Sequence, residues 1–163
     1  MVKIPIKPDR TLDISATSKP SGELHMHYNL LIDAATTRAV FHVHPTHVIA
    51  AMYRGYDLQH VCTQFPEIFR YTKVGPTVPP IMATTKELGD ATAKHLGLGQ
   101  GALGHPGSLK YDIVGQANHG ICSVAADPWS AYEHIERLDH ICEILLKSGV
   151  TPDEVQKRKA LES

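Results

Sequence analysis

The chain has 163 residues, of which 42% are apolar and 20% charged, a profile that suits one globular domain with a hydrophobic core and excludes disordered or fibrous classes. A formal charge of -1 gives no basic field for nucleic acid or anionic lipid, so neither is expected as a partner. No apolar window is long enough to span a bilayer, and the start MVKIPIKPDR lacks the apolar run of a signal peptide.

In chain order, residues 2–14 read as extended structure interrupted at the turn Pro8-Asp9-Arg10. Leu24, Tyr28, Leu31 and Ala35 recur at helical spacing and predict a helix burying that stripe. Residues 39–44 read as a strand, and Pro45 suits the first turn of a helix reaching about Tyr53. After a Gly/Pro-rich loop over 75–80, Thr84-x-x-Glu87 predicts a capping box for a helix from about Lys86 to Leu96 that stops at Gly97. Residues 99–107 are glycine-rich and predict a surface connection. Residues 111–117 and 121–125 read as strands parted at Asn118-His119-Gly120.

Asp127 and Pro128 open a long helix whose buried stripe is Ala131, Ile135, Leu138, Cys142 and Leu145, with His134 and His140 on its solvated side. Thr151-x-x-Glu154 caps a last short helix rich in Lys and Arg. Mixed helices and strands predict a sheet with helices packed on it. Cys62, Cys122 and Cys142 are scattered without a C-x-x-C pair, which predicts buried or free thiols and a cytoplasmic setting.

The 11 histidines are the unusual feature of the composition. His25-Met26-His27 and His42-Val43-His44 are both H-x-H pairs, but geometry separates them. On a strand, residues i and i+2 share a face, so His42 and His44 can hold one ion together. On a helix they point roughly 200° apart, which demotes His25 and His27. A catalytic zinc site takes three protein ligands and leaves a fourth position open. His119, in a turn after an apolar strand, is the better third candidate; His47, projecting from the helix after Pro45, is its competitor. The alternative is a polar strand face with His42 and His44 satisfied by backbone. Glu23, at the start of the first helix, reads by spacing alone as a carboxylate stabilised by the helix dipole.

Taken together, these segments resemble the zinc-dependent class II aldolase/adducin family. Residues 19–27, KPSGELHMH, resemble its K-P-[ST]-S-E-x-x-x-H stretch, His42-Val43-His44-Pro45 its H-x-H-P/A, and Asn118-His119-Gly120 its N/K/F-H-G; Glu87-Leu88-Gly89 and the helix after Asp127 follow in order. The likeness runs from about Leu12 to Val150 and is nearest to the branch that cleaves L-rhamnulose 1-phosphate.

That resemblance implies a three-layer α/β fold, a mainly antiparallel central sheet with helices on both faces. It implies Zn²⁺ held by His42, His44 and His119, with Glu23 as general acid/base at the carbon beside the substrate carbonyl. A second carboxylate, matched to Glu67, reaches across from a neighbouring subunit, so a homo-oligomer, a tetramer, is expected. The substrate implied is a small sugar phosphate such as rhamnulose 1-phosphate, split to dihydroxyacetone phosphate and lactaldehyde. The alternatives are a related sugar-phosphate epimerase or dehydratase, an inactive metal-binding domain, or an adducin-like interaction domain, which lacks the metal histidines. The chain departs from the family in two ways. The family's amino-terminal half with its G-N-x-S phosphate loop is not seen, so residues 1–163 read as one domain truncated on that side. On the phosphate side Ser21 remains, with Gly22 where a second Ser is usual.

Overall fold

The computed structural model describes residues 4–14, 19–101 and 105–161. Three strands form its sheet: β1 (Ala39–Val43), β2 (Ile113–Gln116) and β3 (Gly120–Ala125). β3 is central and pairs antiparallel with both neighbours, in the order β1-β3-β2. The register sets His42 opposite Cys122 and Gln116 opposite Gly120. The Gly/Pro-rich loop is tethered to the outer edge of β2 by parallel bridges from Val74 to Ile113 and from Val78 to Gln116.

β2 is buried throughout and β3 almost throughout, as the apolar runs of both require when helices cover both faces. On one face, α1 (Leu24–Asp33) and α5 (Lys86–His95) bring Met26, Leu30 and Leu88 against Val114, Cys122 and Val124. On the other, α2 (Thr46–Tyr53), α3 (Leu58–Cys62) and α6 (Pro128–Ser148) pack against Ile113 and Ile121. That core also takes Ile68 of α4 (Pro66–Tyr71) and Val155 of α7 (Pro152–Gln156). The result is the three-layer α/β arrangement expected, with helices on both faces of an antiparallel sheet.

The sequence signals locate these elements well and misjudge some local details. The α6 stripe is buried as expected, with Ile141 added, Asp127 capping it through Ser130 N–H and Pro128 in its first turn. The capping box of α7 is present, although Lys157, Arg158 and Lys159 follow the helix rather than lie in it. In α1 the buried positions are Met26 and Leu30, with Glu23 and Ala34 one turn away on either side, while Leu31 and Ala35 are exposed. α1 has apolar residues on two faces, and the sheet takes the one carrying Met26. The cap of α5 is Thr85, whose hydroxyl accepts Leu88 N–H, not Thr84. His134 is half-buried and hydrogen-bonded to Thr72 Oγ1 at 2.9 Å rather than solvated; His140 is exposed. The glycine-rich connection is not wholly superficial, since Gly101 is buried; residues 102–104 lie outside the described set.

All three cysteines are free and buried, and burial pushes each thiol up, Cys142 to about 12. Among the described residues no helix is long and apolar enough to cross a membrane.

Candidate metal centre and its neighbouring carboxylate

Strand periodicity carries His42 and, one step past the end of β1, His44 to the same side of the sheet, where their Nε2 atoms lie 3.0 Å apart. The turn between β2 and β3 supplies His119. Asn118 takes its left-handed bend at φ 58, a conformation Asn tolerates better than most residues. Gly120 must lack a side chain, because a Cβ there would come within 2.6 Å of both the His44 ring and Val43 O. The three rings converge, with centroids 4.8 Å apart for His42–His44, 4.8 Å for His42–His119 and 5.1 Å for His44–His119. One potential ligand atom from each lies within 4.8 Å of the others, the sole such group among the described residues.

The donor set fits a divalent ion. His42 Nδ1 donates to Ile121 O at 3.0 Å, which leaves the lone pair on Nε2, facing His44. Burial, and then the neighbouring His119, lower the pKa of His42 and keep its ring neutral, the state a ligand needs. Three imidazoles suit zinc and leave room for an exchangeable fourth ligand. The site is a rim rather than a dry interior: His42 and His119 are half-buried and His44 is exposed. Despite the apolar neighbours of both residues in the sequence, neither His42 nor His44 is fully buried, and the exposure gives a ligand access.

Glu23 is the N-terminal flanking residue of α1, yet its side chain makes no cap hydrogen bond. The carboxylate turns inward instead, leaving the residue 7% exposed. Its Oε1 accepts Thr84 N–H at 2.9 Å and lies 3.9 Å from His119 Nε2. Thr84 pays for that contact with a φ of 64, rare for a β-branched residue and typical of functional loops. Gly22 makes room for it, since a Cβ there would lie 2.7 Å from Thr84 Cγ2. The glycine that departs from the family pattern is thus fitted to this chain's own loop.

The remaining candidates lie elsewhere. His25 is exposed on α1 and His27 half-buried, and neither joins the three histidines. His47 is engaged by Asp139, Nδ1 to Oδ2 at 2.8 Å, away from the cluster. Ser21 is exposed and its Oγ accepts Glu23 N–H at 3.2 Å. Glu67 is exposed on α4, beside a cleft of about 360 Å³ lined with Glu133, Glu136, Arg137 and His140. Within one chain the structure therefore gathers His42, His44, His119 and Glu23, and leaves Glu67 outside. Sequence reasoning missed Thr84, whose distance of 61 residues from Glu23 carries no local signal. It also missed Asp139, which accepts the His47 and Val48 N–H groups at the start of α2.

Solved structures share the fold, three of them as follows. YgbL from Escherichia coli has a TM-score of 0.69 at 20% identity, covering 94% of this chain and 72% of its own. A sugar-phosphate aldolase from Thermotoga maritima has 0.67 at 22%, covering 83% and 58%. The L-fuculose-1-phosphate aldolase from Thermus thermophilus has 0.63 at 20%, covering 98% and 72%. The chain thus spans between 58% and 72% of the length of these structures. No curated protein matches the sequence. The family model of the Class II Aldolase and Adducin N-terminal domain matches residues 1–146, and with that match over most of its length the chain belongs to this family.

Proposed function

We propose that the chain is a zinc-dependent aldolase that splits a phosphorylated ketose, rhamnulose 1-phosphate or a close analogue, into dihydroxyacetone phosphate and lactaldehyde in the cytoplasm. The observation that carries the reading is the Glu23 carboxylate, buried 3.9 Å from the ring of His119 and beside three convergent imidazoles. A divalent ion held by His42, His44 and His119 supplies Lewis acidity toward a substrate carbonyl oxygen.

The chain's own groups do the rest. In the cleavage direction the hydroxyl on the far carbon of the breaking bond gives its proton to the base that serves the aldehyde oxygen and becomes the aldehyde. The electron pair of the broken carbon–carbon bond passes to the carbon beside the carbonyl, and Glu23, protonated, delivers a proton to that carbon. Thr84 N–H fixes one carboxylate oxygen, so the proton is offered from a set position. Ile121 O fixes the tautomer and rotation of His42. Ser21 serves the phosphate side, at the entrance to α1. Glu67, exposed on α4, serves the aldehyde oxygen of a neighbouring subunit's site in a cyclic homotetramer. Convergence of the three histidines favours this reading over an adducin-like interaction domain.

The test is cleavage of rhamnulose 1-phosphate and fuculose 1-phosphate by the zinc-loaded chain, followed by release of dihydroxyacetone phosphate. Glu23→Gln is expected to lose at least about 10²-fold in turnover with its zinc retained. Full turnover by Glu23→Gln, or no cleavage of either sugar by a zinc-loaded tetramer, overturns the reading. Mixing inactive Glu23→Ala and Glu67→Gln chains is expected to restore part of the activity, and no rescue removes Glu67 from the site.

A further inference from the structure

Gln116 closes β2 with its side chain wholly buried, 1% exposed, on the sheet face that carries His42. Two contacts hold it. Its Nε2 donates to Thr92 Oγ1 at 2.8 Å and lies 3.2 Å from Met26 Sδ. The Thr92 hydroxyl proton is already committed to Leu88 O at 2.7 Å, so Thr92 offers Gln116 only a lone pair. That hydrogen-bond chain decides which end of the amide is nitrogen, and it leaves Oε1 as the free end.

Gln116 Oε1 is one of two buried side-chain polar atoms without a hydrogen-bond partner among the described residues; the other is His119 Nδ1. A buried amide oxygen without a donor costs about 1–3 kcal/mol, so a paired orphan calls for an explanation. The two are chemically complementary. Nε2 of His119 faces Glu23, so a ring that ligates through that atom carries its proton on Nδ1 and needs an acceptor there. They are also neighbours in the chain, and His119 N–H already donates to Gln116 O at 3.0 Å. His42 shows the same division of labour completed, with Nδ1 held by Ile121 O.

We propose that Gln116 is the positioning residue of His119. Its Oε1 and the ring Nδ1 make no hydrogen bond in the arrangement seen here, and a small turn of either side chain lets Oε1 receive the Nδ1–H of the ring and fix the tautomer that presents Nε2 to the ion. The inference rests on the reading of His119 as a metal ligand. It also gives Thr92 and Met26 a role, since they anchor the amide from α5 and α1. Gln116 touches no substrate and no ion.

The experiment compares the full chain with Gln116→Met, Gln116→Glu and His119→Ala. Zinc dissociation constants are measured by competition with a chromophoric chelator, and the His119 tautomer of the metal-free protein by nitrogen-15 NMR. Gln116→Met, of similar volume but without an acceptor, is expected to bind zinc about 10–100-fold more weakly. Gln116→Glu, which as the neutral acid can still donate to Thr92 and keep an oxygen toward His119, is expected to stay within about threefold of the parent at a pH below the titration of that buried acid. The parent ring is expected to carry its proton on Nδ1. Parent-like zinc affinity in Gln116→Met, with loss in His119→Ala, overturns the role of Gln116 and leaves the three-histidine centre standing. Parent-like affinity in His119→Ala overturns both. Should Gln116→Met fail to fold, a parent ring protonated on Nε2 overturns the proposal by itself.

Discussion

The two faces of the sheet are built from alternate residues of the same strands, yet they handle buried polarity differently. Beneath α2, α3 and α6 the core is apolar, and the buried hydroxyls there are satisfied, Ser123 by Ala131 O at 2.9 Å and Thr72 by the His134 ring at 2.9 Å. Beneath α1 and α5 the core is also well packed, but Glu23, Thr92 and Gln116 are buried at or near it. Both buried side-chain polar atoms without a partner among the described residues, on Gln116 and His119, lie on this side. One face supplies stability and the other accepts polar groups that fold poorly by themselves and are suited to chemistry.

Substitutions can break this contrast. Leu138 is fully buried in the apolar core, and Leu138→Ala is expected to cost about 2–5 kcal/mol in denaturant unfolding. Zinc affinity of the folded chain is expected to stay unchanged, and a parallel loss of zinc binding would erase the distinction between the faces. Asp139 tests the same side more gently. It accepts two N–H groups at the start of α2 and pairs with His47, so Asp139→Ala is expected to cost about 1–2 kcal/mol, again with zinc retained. Glu23→Gln sharpens the other side. It removes a carboxylate buried with one backbone donor among the described residues, and stability is expected to hold or rise by up to about 1 kcal/mol while turnover falls. A large loss of stability would make Glu23 a structural residue.

The smallest effect is a pH dependence. Burial lowers the pKa of His134, as it does that of His27, so the fold favours the neutral ring. The unfolded chain then binds more protons, and stability is lost as the pH falls below the ordinary histidine value of about 6.5 toward the lowered folded one. Urea midpoints at pH 7.5 and 5.5 are expected to fall with acid, and His134→Gln to fall less. An equal fall in His134→Gln would remove this histidine as a source.

What the sequence makes legible follows from periodicity. The H-x-H pair on a strand, the rejection of His25 and His27 on a helix, and the α6 stripe all depend on spacing within one element, and the structure keeps them. Where two faces of one helix are apolar, spacing leaves the choice to tertiary packing, and α1 buries Met26 and Leu30 instead of the predicted stripe. The inward turn of Glu23 depends on Thr84, and the setting of Gln116 on Thr92 and Met26, contacts made only once α1 and α5 meet on the sheet. Glu67 lies apart from the histidines within the chain, and its role rests on assembly.

Whether His42, His44 and His119 hold one divalent ion is tested most directly by X-ray absorption on the zinc-loaded chain, with metal content per chain measured alongside. One zinc per chain is expected, with three imidazole nitrogens at about 2.0–2.1 Å, lost in His119→Ala and kept in His47→Ala. Zinc bound equally well by His119→Ala, or a coordination shell with fewer than three imidazoles, would contradict it.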